Sequence, residues 1–193
     1  MGVPCEADGH NGSMKAPQST TATVVGGGIA GMASALALAR SGWQVQVLEQ
    51  APAFSEVGAG VQLGPNVTRV LREWGLEDAL LARACQPRAL LARSAITGEV
   101  LGRLDWHALG QRYGAPYVSI HRADLHALLH QPAVAAGVQL HAGCRVQRVQ
   151  PLPDGAQIEA PGVALPAGDV ADVAVVADGV WSRLRAQLLG DGG

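Results

Sequence analysis

The stretch Thr23-Val24-Val25-Gly26-Gly27-Gly28-Ile29-Ala30-Gly31 decides how the rest of the chain is read. It continues into Met32-Ala33-Ser34-Ala35-Leu36-Ala37-Leu38-Ala39-Arg40 and then Trp43-Gln44-Val45-Gln46-Val47-Leu48-Glu49. The pattern predicts a short buried strand, a glycine turn, an alanine-rich helix and a second strand that ends in an acid. Gly26, Gly28 and Gly31 occupy the G-x-G-x-x-G positions, and Glu49 follows Gly31 by 18 residues. That is close to the ~20 of a dinucleotide-binding βαβ unit.

Each residue type has a physical reason. Gly26 permits the tight turn out of the strand. Gly28 lets backbone approach a pyrophosphate, and Gly31 lets the helix lie close to the strand. The start of the helix offers unpaired N–H groups and about half a positive charge to phosphates. Glu49 can accept hydrogen bonds from a ribose 2′,3′-diol. A carboxylate there repels a 2′-phosphate, so FAD or NAD suits the slot and NADP does not. The competing reading is a secretory signal or membrane span, because residues 16–39 carry no charge and Ala37-Leu38-Ala39 resembles a cleavage site. Three adjacent glycines would break such a helix, and that reading leaves the acid-terminated strand unexplained.

The 193 residues allow one substantial domain, or one with an appendage. Fourteen basic against 16 acidic residues, a net charge of −2, argue against a nucleic-acid footprint. The six histidines have no metal-ligand spacing, so no metal is expected. Three scattered cysteines, Cys5, Cys85 and Cys144, suit a reducing cytoplasm better than a disulfide framework.

Residues 1–20 read as a disordered leader, with Met14 a possible alternative start, and the domain as residues 21–193. After Glu49 the Rossmann series is interrupted by a glycine loop through Gly58 and Gly60 to Gly64-Pro65. Helices are predicted over about 66–74 and 76–84, and a β-hairpin over 88–104 around Thr97-Gly98. Residues 106–117 are ambiguous. A strand ending at Ile120 precedes a helix over 121–129. Strands follow at 138–141, 145–149, 156–159 and 170–177, the last with the apolar profile of a strand buried on both faces. A helix is predicted from Trp181 to Leu189.

Four stretches together resemble the FAD-dependent aromatic-ring monooxygenases, the single-component flavoprotein hydroxylases, in the branch that includes salicylate hydroxylase and 3-hydroxybenzoate 6-hydroxylase. They are Val24–Gly31 with Glu49; Gly58-Ala59-Gly60-Val61-Gln62-Leu63-Gly64-Pro65-Asn66; Ile120-His121-Arg122-Ala123-Asp124-Leu125; and Val176-Ala177-Asp178-Gly179-Val180-Trp181-Ser182-Arg183-Leu184-Arg185. The resemblance implies an α/β, Rossmann-like FAD-binding domain of the glutathione-reductase type, with inserted β-hairpins and truncated before the substrate domain. It implies bound FAD, NAD(P)H as a transient co-substrate, and hydroxylation of a small phenolic aromatic acid by O2. The cofactor-binding residues it implies are Gly26, Gly28, Ala30 and Gly31 in the loop, Glu49 with Gln50, Val57, Arg122, Val146 and Asp178. Asp178-Gly179 also reads as a strand-end turn with a capping aspartate, and Arg183 and Arg185 as solvated helix residues. No catalytic residue is assigned; His107, His121 and His126 read as surface or packing residues. The alternatives are a non-catalytic dinucleotide-binding fragment and another FAD- or NAD-dependent oxidoreductase.

Overall fold

The computed structural model describes residues 20–54, 58–165 and 168–190. Val57, Met14, Cys5 and all but the last residue of the expected leader lie outside these.

The chain begins with β1 (Thr21–Val25), crosses through α1 (Ile29–Arg40) and returns in β2 (Gln44–Leu48), parallel to β1. This is the βαβ unit the glycine pattern predicts. Next come β3 (Gly60–Leu63), α2 (Pro65–Glu73), α3 (Glu77–Leu81) and a hairpin of β4 (Ala89–Arg93) with β5 (Val100–Asp105). The ambiguous stretch is α4 (Trp106–Tyr113), started by the Asp105 carboxylate, which accepts from the His107 and Ala108 amides, and stopped by Gly114 at φ 72°. Then follow β6 (Val118–His121), α5 (Arg122–Ala135), β7 (Gln139–His141), β8 (Arg148–Leu152), β9 (Gly155–Glu159), β10 (Val170–Ala171), β11 (Val173–Val176) and α6 (Arg183–Leu189).

Three layers result. The middle one is a parallel sheet in the order β11-β1-β2-β7. Ala22, Val24, Val45 and Val47 on one of its faces pack with Met32, Ala35 and Leu36 of α1 and with Leu125, Leu128, Leu129 and Ala133 of α5. Each fully buried leucine or methionine there contributes ~1.5–3 kcal/mol. The opposite face carries Val25 and Leu48 against the antiparallel sheet β10-β9-β8, through Val149, Ala156, Ile158 and Ala171. Gln46 lies on this face too, donating to Thr23 Oγ1 at 2.9 Å and to the Gly168 carbonyl at 3.1 Å. Two antiparallel pairs, β3-β6 and β4-β5, stand outside the layers.

The structure corrects four predicted elements. Residues 170–177 form two strands rather than one, because Asp172 accepts from the Thr21 amide at 2.7 Å and its hydroxyl at 3.0 Å. That contact turns the chain from the antiparallel sheet, where β10 pairs with β9, into the parallel one, where β11 pairs with β1. β11 is also an edge strand, so Val173 is 36% exposed and the strand is not buried on both faces. The strand expected at 145 starts only at Arg148; the Gly143 and Cys144 amides bond Ala51 and Glu49 carbonyls at 2.8 Å, which holds this segment as a loop and leaves Val146 in it. The last helix starts at Arg183, capped by Ser182 Oγ accepting from the Arg185 amide at 3.0 Å, so Asp178 is not its cap. The helix expected over 76–84 is confined to Glu77–Leu81.

Candidate dinucleotide site

β1 and β2 are adjacent and parallel, so their carboxyl ends open at the same edge of the sheet, where α/β proteins place ligands. The turn leaving β1 is held tightly. Gly26 has φ +104°, and a Cβ on it would strike the Ala177 carbonyl oxygen at the end of β11. A Cβ on Gly31 would land on the Gly26 carbonyl oxygen, with Val24 Cγ1 at 3.5 Å. The first and third glycines of the fingerprint therefore touch each other, and this contact seats the first turn of α1 on the loop.

Gly28 is the N-cap of α1, in extended conformation, with no side-chain cap and no acid in the first turn. The first helical bond runs from the Met32 amide to the Gly28 carbonyl at 2.9 Å. The amides of Ile29, Ala30 and Gly31 thus have no intrahelical acceptor, and the positive end of the helix is uncompensated by its own residues.

Glu49 follows β2. Its Oε2 accepts from the Gly27 amide at 2.6 Å and its Oε1 from the Ala51 amide at 2.7 Å. Each oxygen keeps a further lone pair, so the half-buried carboxylate still has acceptor capacity toward a diol. Arg122 is the first residue of α5, and its amide bonds the Ala59 carbonyl at 3.3 Å. The pairing of β3 with β6, Gly60 opposite His121, brings the Gly58–Gly60 loop beside Arg122: a Cβ on Gly58 would lie 3.4 Å from Arg122 Cδ.

A cavity of about 920 Å³ joins these parts. Gly26, Gly28, Ala30, Glu49, Gln50, Arg122, Val146 and Asp178 all line it. Among the site residues assigned from sequence, Gly31 lies buried beneath it and Val57 lies outside the described residues. Arg183 reaches the cavity; Arg185 does not line it. A second cavity, of about 530 Å³ beside the stacked Trp106 and Tyr117 rings, contains none of the predicted residues.

Sequence reasoning missed four contributors. Gly27 sits at an unspecified position of the fingerprint, yet a Cβ there would meet the Phe54 ring at 2.5 Å and Glu49 Cβ at 3.1 Å. Phe54 and Trp181 line the cavity, Trp181 almost fully exposed. His126 is buried, with Nε2 at 2.7 Å from the Gly27 carbonyl oxygen. Its four-residue spacing from Arg122 on one helix was the available signal. His130 lies next to it, ring centroids 5.9 Å apart; burial first, and then the neighbouring His126, hold its pKa below the ordinary histidine value. His107 and His121 are exposed, and His121 Nδ1 caps α5 by accepting from the Ala123 amide at 3.2 Å.

Residues 19–190 match the family described as FAD binding domain. The chain is 40% identical over 171 residues to 6-hydroxynicotinate 3-monooxygenase of Bordetella bronchiseptica, covering 86% of this chain and 43% of that protein. It is 37% identical over 183 residues to 3-hydroxybenzoate 6-hydroxylase of Polaromonas naphthalenivorans, covering 91% and 44%. Among solved structures, 2-methyl-3-hydroxypyridine-5-carboxylic acid oxygenase superposes with a TM-score of 0.73 at 28% identity, over 89% of this chain and 42% of that one. The chain thus spans about two-fifths of the length of the relatives it matches. No helix among the described residues is long and apolar enough to cross a membrane.

Proposed function

Because the chain belongs to the FAD binding domain family, we propose that it is the flavin-holding portion of a monooxygenase that uses NAD(P)H and O2 to hydroxylate a small phenolic aromatic acid. One observation carries this reading. Five segments of chain, within residues 25–30, 48–54, 122, 144–147 and 177–187, converge on one cavity, which brings together an uncapped helix N-terminus and an acid with spare acceptors. The substrate class rests on the relatives, which are hydroxylases of aromatic acids by name. The domain runs from about residue 21, and Cys85 and Cys144, both free thiols, suit a cytoplasmic protein.

The donor set fits FAD. The amides at the start of α1 and the backbone at Gly28 receive the diphosphate. The remaining Glu49 lone pairs receive the adenosine ribose, and the same charge disfavours a 2′-phosphate. Val146, on the loop held to β2, flanks the adenine. Arg122 and Asp178, one cationic and one anionic, line the same cavity and orient the distal part of the cofactor. When bound, FAD supplies the exchange of electrons between NAD(P)H and O2 that ring hydroxylation needs. The protein's task at this site is orientation and exclusion of water.

A second reading is a dinucleotide-binding module without turnover, and a specific observation favours it: none of the described histidines lines the cavity, so this portion offers no imidazole base. Titration with FAD in a calorimeter tests the shared premise, with flavin absorbance near ~450 nm as the visible sign; colourless, folded protein that takes up no FAD refutes both. Addition of NADH and a phenolic acid then separates them. Oxygen consumption with a hydroxylated product supports the monooxygenase, and FAD binding without either supports the module.

A further inference from the structure

We propose that His126 is a positioning residue of the nucleotide loop: by holding the Gly27 carbonyl it aims the Gly28 amide into the cavity. The inference rests on the flavin reading of that cavity and adds a residue to it.

Gly27 is gripped at both of its polar groups by side chains from different elements. Its amide donates to Glu49 at the end of β2, 2.6 Å away, and its carbonyl oxygen lies 2.7 Å from His126 Nε2 on α5. A carbonyl can only accept, so Nε2 carries the proton and the imidazole is the donor. His126 is 5% exposed, so water does not compete for this bond. In a trans peptide the C=O and the next N–H point in opposite directions, and the described backbone has no cis bond. Drawing the Gly27 oxygen toward α5 therefore turns the Gly28 N–H the other way, toward the cavity that Gly28 lines.

The need for such a grip follows from the sequence. The peptide in question joins two glycines, and glycine has little steric preference between the two orientations of a peptide plane. A flip would present the Gly27 carbonyl, an acceptor, to an anionic diphosphate. Phe54 packs over Gly27 but offers nothing to the carbonyl, and Glu49 holds only the amide side. His126 alone among the described side chains bonds the Gly27 oxygen. Because Arg122 stands one turn earlier on α5, a single helix sets both the loop orientation and a cationic rim of the cavity.

The test compares the wild type with His126→Leu, which removes the donor, and His126→Gln, which keeps an N–H donor at similar reach. Dissociation constants are measured for FAD and ADP by calorimetry and for adenosine, which has no phosphate, by NMR titration. Losing a hydrogen bond to a charged group corresponds to ~10–100-fold. His126→Leu should weaken FAD and ADP by about tenfold or more, leave adenosine nearly unchanged, and show faster hydrogen exchange at the Gly28 amide in the ligand-free protein. His126→Gln should restore most of the loss. If His126→Leu fails to fold, His126→Met, an adaptable apolar chain, takes its place. Unchanged ADP affinity overturns the proposal, as does equal weakening of ADP and adenosine, or a glutamine variant as impaired as leucine. Wild-type protein that binds neither FAD nor ADP overturns the flavin reading and this one with it, whereas binding that ignores His126 overturns this one alone.

Discussion

Replacing Gly31 by alanine tests the geometry on which the site is built. The substitution normally stabilises a helix by ~1 kcal/mol. At Gly31, inside the first turn of α1, the new methyl would occupy the position of the Gly26 carbonyl oxygen and lie 2.9 Å from the Gly26 carbonyl carbon. Both atoms are backbone of the turn that leaves β1, and Gly26 is itself pressed against Ala177, so neither can yield cheaply. Overpacking of this kind costs ~1–3 kcal/mol, and backbone contact places it at the upper end. Subtracting the helix gain leaves a net loss of ~2 kcal/mol. For a chain of this length that lowers Tm by ~4–8 °C. Gly110, inside α4, is the control: a Cβ there meets the Ala115 oxygen at 3.5 Å and Pro116 Cα at 3.8 Å, ordinary contacts. Gly110→Ala should therefore raise stability by ~1 kcal/mol, or Tm by ~2–4 °C. Thermal unfolding followed by circular dichroism reads both variants. A Gly31→Ala protein as stable as wild type would refute the close seating of α1 on the loop.

Three further outcomes are expected. Glu49→Ala should weaken FAD binding by roughly 10–100-fold, because it removes the proposed ribose acceptor and also frees the Gly27 and Ala51 amides; calorimetric affinity equal to wild type rules out the role. The pKa of His130 lies below its ordinary value in the folded chain, so the unfolded chain takes up the proton first as pH drops below ~6.5. That residue contributes nothing above this range and destabilises progressively below it, so denaturant midpoints of His130→Leu should fall less than those of wild type between pH ~6.5 and ~5; parallel curves would remove this histidine as a cause. On the hairpin, Leu90 and Leu104 are cross-strand partners, 57% and 41% exposed, so Leu90→Lys should reduce self-association in light scattering with stability unchanged within ~0.5 kcal/mol. A drop in Tm of several degrees would mean that the leucine is buried by contacts within the chain.

The βαβ unit was legible because its signals are local. Strand, turn and helix each follow from a few adjacent residues, and Gly26, Gly31 and Glu49 fall where their spacing puts them. The Asp105 cap and the Gly114 stop of α4 are equally local, yet the short apolar pattern between them favours no one period, so the sequence of this stretch stays ambiguous. Elements whose ends depend on distant partners are not legible in this way. The break at Asp172 exists because Thr21, 151 residues away, offers two donors to its carboxylate. The late start of β8 arises because the Gly143 and Cys144 amides are taken by carbonyls beyond β2.

The residues alone determined that a glycine turn joins two parallel strands with an acid at the end of the second. Backbone sterics at three glycines and the apolar alternation around them allow little else. Only the tertiary structure decided that Val146, Arg122 and Asp178 share a cavity with that turn, since strand order, not sequence distance, sets which chain ends meet. It alone assigned His126 to the loop, because hydrogen bonding of one buried carbonyl is a matter of which helix packs over it. Propensity acts between neighbours in the chain; a site is made by neighbours in space.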